Sequence, residues 1–478
     1  MGTYANNEKA ILSSPCEDNM GQFSNGVAIL LLFSLLVFVG CETAGNKEPI
    51  STVAVPTFNP ASGTYESAQD VSITTATSGA TIRYTIDGTT PTDTSGTIYS
   101  VPVHITETLT LKAVAYRGGW TTSSVISALY TIGPHEPVYK YYAYVANYNS
   151  NRVSAYTIDA ATGALTAIAG SSLVVGIEPW SIAVDPSGKF VYLANMHSNT
   201  VSAFTIDAAT GALTAMAGSP FATGSEPKSV AVDPSGKFAY VANYRSNTVS
   251  AYTIDATTGA LTAMVGSPFA VGSYPSSVAV DPSGKFAYVT NQVSDTVSAF
   301  TINAATGALT AVAGSPFATG DYPWFVAVDP SGKFAYVANY FSNNVSAYTI
   351  NAATGALTAV AGWLFATGDG PMSVAFDPSG KFAYVANYGS GTVSAFTINA
   401  ATGTLMAVAG SPFAVGDGPR SVAVDPSGKF AYVANQVSDT VSAFTVNATT
   451  GALTAAVAGS PFAAGDGPAG IVIICIAQ

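Results

Sequence analysis

The residues Tyr-Val-Ala-Asn begin at Tyr144 and return, with at most one change, at Tyr192, Tyr240, Tyr288, Tyr336, Tyr384 and Tyr432, a step of 48 residues each time. A unit of that length is one supersecondary motif that cannot bury its own apolar face, so it must stack on its neighbours. Within the unit, "SVAV", "KFAYVAN", "TVSAFTI" and "ALTAM" read as four short strands, here A to D. Asp-Pro-Ser-Gly turns A into B: Asp accepts backbone hydrogen bonds, Pro presets φ, and Gly takes the conformation other residues resist. Ala-Ala-Thr-Gly turns C into D in the same way. Seven such copies predict an all-β chain, a seven-bladed β-propeller of 48-residue, four-stranded blades.

The count of strands also predicts how the ring closes. Strands B, C and D occur seven times, but "SVAVDP" and its variants occur only before Asp185, Asp233, Asp281, Asp329, Asp377 and Asp425. The first copy, from about Tyr141, has no strand A ahead of it, and "GPAGIVIICIAQ" supplies an apolar strand at the other end. The propeller at 141–478 is therefore expected to close by pairing strand 471–476 with the first copy, which removes the open sheet edges.

Composition agrees with a packed β protein: 48% hydrophobic and 9% charged residues, with 45 Gly and 26 Pro for tight turns. A net charge of −12 argues against nucleic acid as a partner, since phosphate binding needs a basic surface. Cys16, Cys41 and Cys475 are too few and too scattered for a disulfide framework or a metal site, and no cofactor is implied.

The segment 26–40, "GVAILLLFSLLVFVG", is an apolar run shorter than the roughly 18 residues of a spanning helix. It fits an export signal at 1–40, with Met20 as an alternative start. The ending Phe38-Val39-Gly40-Cys41 resembles a bacterial lipobox, which implies lipidation at Cys41, a membrane partner through that anchor, and a place in the bacterial cell envelope at the outer membrane or cell surface. Residues 41–52 then read as a tether. From 53 to 132, "DVSITTA", "ATIRYTIDGTTP", "LTLKAVAYRGG" and "SSVISALYTI" read as the strands of a small Ig-like β-sandwich, followed by a linker at 133–140.

Two families are matched by quoted motifs. "PTFNPASGTY", "ATIRYTIDGTTPT" and "LKAVAYRGGWTTSSVISALYTI" resemble the chitobiase/β-hexosaminidase C-terminal-like domain, which implies an accessory spacer or weak carbohydrate contact. Asp87, Asp93 and Tyr99 suit a turn and a packed ring better than a sugar or calcium site. "VAVDPSGKFAYVANYRSNTVSAYTID" resembles the YVTN-type, lactonase-like seven-bladed propellers over 141–478. That resemblance implies a scaffold related to 6-phosphogluconolactonases, which hydrolyse a sugar lactone. A scaffold hosts many functions, so the chemistry must be sought in the residues.

Residues common to all blades solve a problem common to all blades, so function is expected where the copies differ. Antiparallel strands place the constant A–B and C–D turns on one face and the variable B–C and D–A loops on the other. The variable loops offer Tyr148, Trp180, His197, Lys228, Tyr244, Arg245, Trp324, Tyr340, Phe341 and Arg420 as ligand-binding candidates: aromatic faces beside cations suit sugars, peptides or protein partners. His197, Glu226 and Arg245 are the weaker catalytic candidates, a base and a cation for lactone hydrolysis. The repeated Asn147 and its counterparts are expected to satisfy loop backbone groups, with no metal. The expectation is an envelope-anchored monomer that binds a protein or carbohydrate on its variable face. A lactonase-like hydrolase and a structural surface-layer protein are the alternatives.

Overall fold

The computed structural model describes residues 50–133 and 139–478. The apolar run at 26–40 and Cys41 lie outside the described residues. The described residues divide into two compact units, 50–133 and 139–478. Among the described residues, no helix is long and apolar enough to cross a membrane.

The first unit is a two-sheet sandwich. One sheet joins Thr57–Asn59, Gln69–Thr74 and Val103–Ile105; the other orders Gly63–Tyr65, Ile126–Ile132, Leu109–Tyr116, Thr81–Thr85 and Thr97–Ile98. Alternating residues fill the space between the sheets, among them Val71, Ile73, Ile105, Leu111, Ala113 and Tyr130. The Tyr130 hydroxyl donates to the Pro60 carbonyl at 2.7 Å, so the one polar atom of a buried ring is satisfied. Asp87 accepts from the Thr89 amide at 3.0 Å and its hydroxyl at 2.6 Å, bonds that lower its pKa. The Asp93 carbonyl accepts from Arg83, and the Tyr99 ring packs edge-on against Tyr84 at 6.4 Å.

The second unit is the seven-bladed propeller. Blade two shows the plan: Pro179–Val184 (A), Phe190–Asn195 (B), Thr200–Ile206 (C) and Leu213–Ala215 (D), paired in that order. A fifth piece, Phe221–Ala222, pairs with the start of strand C, where D pairs with its end. The outer edge breaks there at Gly-Ser-Pro, where proline has no N–H for the ladder, and the first blade breaks at the same place with Gly170-Ser171-Ser172. Blade five has Trp363-Leu364 where its neighbours have Ser-Pro, and its outer strand runs unbroken over Leu357–Ala366.

Closure follows the expected route with a longer strand. Pro468–Ala477 forms strand A of the first blade and pairs antiparallel with strand B at Tyr139–Asn147, extending the expected 471–476 at both ends. Strand B begins at Tyr139, inside the segment read as linker.

The tyrosine that opens each Tyr-Val-Ala-Asn is fully buried, and its hydroxyl reaches the C–D turn of the following blade. Tyr192 donates to the Gly259 carbonyl at 2.7 Å and Tyr240 to that of Gly307 at 2.8 Å; Tyr432 donates to Gly163 at 2.9 Å, from the seventh blade to the first. Gly259 is at φ 73°, and a Cβ there would come within 2.6 Å of the Phe190 ring, so both the turn and the packing require glycine. The Asp of each Asp-Pro-Ser-Gly is buried: Asp233 takes the amides of Lys237 at 2.8 Å and Phe238 at 2.7 Å on one oxygen, and Ser235 on the other. Around the channel, strands A are linked through serine. Ser181 Oγ accepts from the Val230 amide at 3.3 Å, Ser229 from Val278 at 3.1 Å, and Ser421 from Ile471 at 3.3 Å.

One expectation needs correction. The asparagines that end strand B bond mainly to strand C hydroxyls and not to loop backbone: Asn243 Nδ2 donates to Ser250 Oγ at 2.9 Å and Thr248 Oγ1 at 3.2 Å. The side chain points along the ladder, where the hydroxyls of the paired strand are nearer than the loop. Asn147 alone keeps part of the expected role, accepting from the Gly465 amide at 3.1 Å.

Candidate ligand site at the channel mouth

The residue after the proline that opens strand A points into the channel, so Trp180, Lys228, Ser276, Trp324, Met372, Arg420 and Ala469 converge there from seven blades. They line a cavity of about 150 Å³ within the ring. A second cavity of about 230 Å³ opens beyond it, lined by Tyr148, Trp180, Trp324, Met372, Tyr388, Arg420 and Gln436. Four of these residues belong to both, so mouth and channel share their walls.

Aromatic rings pack continuously across this mouth. Trp180 and Trp324 stand 6.3 Å apart; Tyr148 meets Trp180 edge-on at 5.1 Å, and Tyr340 meets Trp324 at 5.6 Å. Two cations are buried among them. The Arg420 guanidinium lies 3.4 Å over the Trp180 ring, and Lys228 Nζ lies 3.3 Å over Tyr244, with Trp180 and Trp324 at 5.1 and 5.2 Å. Lys228 is 8% exposed and Arg420 5%. Among the described residues neither takes part in an ion pair, and Arg420 Nη2 has no hydrogen-bond partner.

Burial, aided by the neighbouring Arg420, pulls the Lys228 amine down to about 7, against a weaker upward pull from Glu226. Burial likewise lowers Arg420, though a guanidinium remains cationic at neutral pH. Tyr148 is raised, by burial first and then by Glu178, while Tyr244 is raised by burial and by the adjacent Tyr322 hydroxyl.

The loops that frame the mouth carry backbone strain. The residue before the strand A proline is left-handed in every blade from the second onward, and in the strand that closes the first. Blades six and seven and the closing strand use Gly370, Gly418 and Gly467, but blades two to five place Glu178, Glu226, Tyr274 and Tyr322 there, at φ 54° to 59°. Each is held by an Asx side chain of the preceding blade: Asn199 Oδ1 accepts from the Glu226 amide at 2.8 Å, and Asp295 Oδ1 from the Tyr322 amide at 2.8 Å. A non-glycine residue there costs about 1 kcal/mol or more. Tyr322 uses that position to pack on Phe341 at 4.5 Å and Trp324 at 6.0 Å, and Tyr274 to pack on Tyr244 at 4.8 Å.

Of the candidates read from the sequence, Tyr148, Trp180, Lys228, Tyr244, Trp324, Tyr340, Phe341 and Arg420 lie in this connected cluster, although Phe341 is 64% exposed. His197 and Arg245 do not join it. Both are exposed at the second residue after the strand B asparagine, as Phe341 is, but neither packs on a ring of the mouth as Phe341 does on Tyr322. His197 stands 4.0 Å from Glu178, and no ion pair links His197, Glu226 and Arg245. Among the described residues, no group of three or more His, Cys, Asp or Glu forms a metal site. Sequence reading missed Tyr274 and Tyr322 as site residues. Their signal was a bulky residue before proline where three sister copies carry glycine.

The chain belongs to the lactonase family of seven-bladed β-propellers, whose model matches residues 140–274, 263–376 and 364–465. Residues 60–131 match the chitobiase/β-hexosaminidase C-terminal domain. Similar solved structures include a candidate 6-phosphogluconolactonase of Bacteroides fragilis, with 23% identity, TM-score 0.63, and 70% of this chain and 98% of that one covered. The periplasmic gluconolactonase of Pseudomonas aeruginosa is 19% identical, with TM-score 0.61 and coverage of 70% and 99%. At these identities the likeness concerns the fold. An endoglucanase of Clostridium saccharobutylicum is 41% identical over 108 residues, 23% of this chain, and the match spans only 24% of the endoglucanase.

Proposed function

We propose that the propeller is a receptor for an acidic carbohydrate, seated at the channel mouth and presented from the cell envelope by a lipid anchor on Cys41. One observation carries this reading: Lys228 and Arg420 are buried among aromatic rings, and among the described residues no carboxylate is paired to either. An uncompensated buried charge is costly, and an arriving carboxylate would pair with the Arg420 cation and favour the protonated form of Lys228. Trp180 and Trp324 give a sugar ring a flat apolar wall, and the unpaired Arg420 Nη2 offers a donor to the acid.

Calorimetry on the full chain tests the reading with oligosaccharides of glucuronate or galacturonate against their neutral counterparts. Binding of the acidic sugars alone is expected. Trp180→Ala and Trp324→Ala should each weaken it about two- to tenfold, the loss of one stacking contact, and Arg420→Met should erase the preference for the acid. Equal binding of neutral and acidic sugars would count against the cation pair. For the anchor, palmitate labelling should vanish in Cys41→Ser.

A lactonase activity is the second reading, favoured by membership of the family and by a simple chemical relation. Hydrolysis of a sugar lactone produces a carboxylate, the group this cation pair would hold. Turnover of gluconolactone that falls in both His197→Ala and Arg420→Met would support it; turnover untouched by either substitution would not.

A further inference from the structure

Lys228 has surroundings that a binding role alone does not require. Its amine is walled by the faces of Tyr244, Trp180 and Trp324, has no carboxylate partner among the described residues, and borders the 150 Å³ channel cavity together with Arg420. A cavity of about that size holds a molecule of about six heavy atoms. Desolvation and a neighbouring cation are the two influences that turn a lysine from a solvated cation into a nucleophile. We propose that Lys228 condenses with the carbonyl carbon of a small 2-oxo acid whose carboxylate pairs with Arg420. The proposal rests on the reading of Arg420 as a carboxylate partner.

The step balances without any redox partner. The Nζ lone pair attacks the carbonyl carbon, the C=O π pair moves to oxygen and takes up a proton, and nitrogen gives up a proton to solvent. The carbinolamine then loses water, leaving an imine between Nζ and the former carbonyl carbon. Burial holds the amine near 7, so a large share of it is neutral at physiological pH.

The test is reductive trapping of the full chain with pyruvate and cyanoborohydride, read by peptide mass spectrometry. The exposed turn lysines, Lys189, Lys237, Lys285, Lys333, Lys381 and Lys429, serve as controls within the same molecule. Lys228 should be labelled at least about tenfold more than any of them at pH 7. Its labelling should rise between pH 6 and 8 and then level, whereas ordinary lysines keep climbing toward about 10.4. Arg420→Met should reduce labelling by pyruvate several-fold more than labelling by dihydroxyacetone, which has no carboxylate and loses only the reactivity that the neighbouring cation lends the amine. Labelling of Lys228 no greater than that of the turn lysines, or pyruvate labelling indifferent to Arg420→Met, overturns the proposal. Lys228→Arg keeps the cation without the nucleophile. If that variant still binds uronate while the wild type is not trapped, this inference fails and the receptor reading stands. If the wild type is trapped at Lys228 but binds no uronate, the receptor reading fails and the lysine chemistry stands.

Discussion

A tyrosine at a fixed place in each repeat looks like core packing, and its ring is indeed buried. The hydroxyl has a second task, since it holds the turn of the next blade and is placed where water cannot replace it. Tyr240→Phe would leave the Gly307 carbonyl without that donor, and we expect a loss of about 1–3 kcal/mol in urea unfolding. The left-handed residues at the mouth behave in the opposite sense. Glu226→Gly releases a strained backbone while removing a side chain that makes no ion pair, so a gain of about 1 kcal/mol and a higher melting temperature are expected. A protein that keeps glutamate and tyrosine at four positions where glycine would be more stable is trading stability for what those side chains do at the mouth.

At the scale of the strand, the sequence exposed the blade plan because a period of two and a repeat of 48 residues act together. Which side chains share a face then follows from counting. Counting also located the closing strand, and removing 470–478 should greatly lower the melting temperature; an unchanged melt would mean the ring closes some other way. The site was less legible. Trp180, Lys228, Trp324 and Arg420 follow the strand A proline, and each is the extra residue at a break in the A–B register, a bulge repeated in every blade that aims it into the channel. His197 and Arg245 sit in loops, where no ladder fixes direction, and both are exposed without packing on the mouth's rings. Tyr322 was hidden for a related reason, because its aim depends on a left-handed backbone that only a comparison with the glycine copies hints at.

For the whole molecule, titration should report the site against a background set by the ring. In the folded chain Lys228 binds its proton only up to about 7, while unfolded it would hold one to 10.5, so the unfolded state binds more protons between those values. Stability should therefore rise with pH across that window, and Lys228→Met should flatten the rise when melting is followed by circular dichroism. The buried phenols act with the opposite sign: burial raises them above the ordinary value of 10.0, and the stability they lend is lost as pH climbs beyond it. A carboxylate ligand favours the charged amine, so binding near pH 7.5 should take up protons, visible as a buffer-dependent heat. The closing strand also bears on synthesis. A chain made only as far as Phe462 already contains every tyrosine that staples one blade to the next, yet its strand at Tyr139–Asn147 still presents a bare edge. The nascent chain stays an open arc, able to pair with another arc, until Pro468–Ala477 emerges. Chains that lack that strand should therefore associate through the uncovered edge, a change of oligomeric state that size-exclusion chromatography would show.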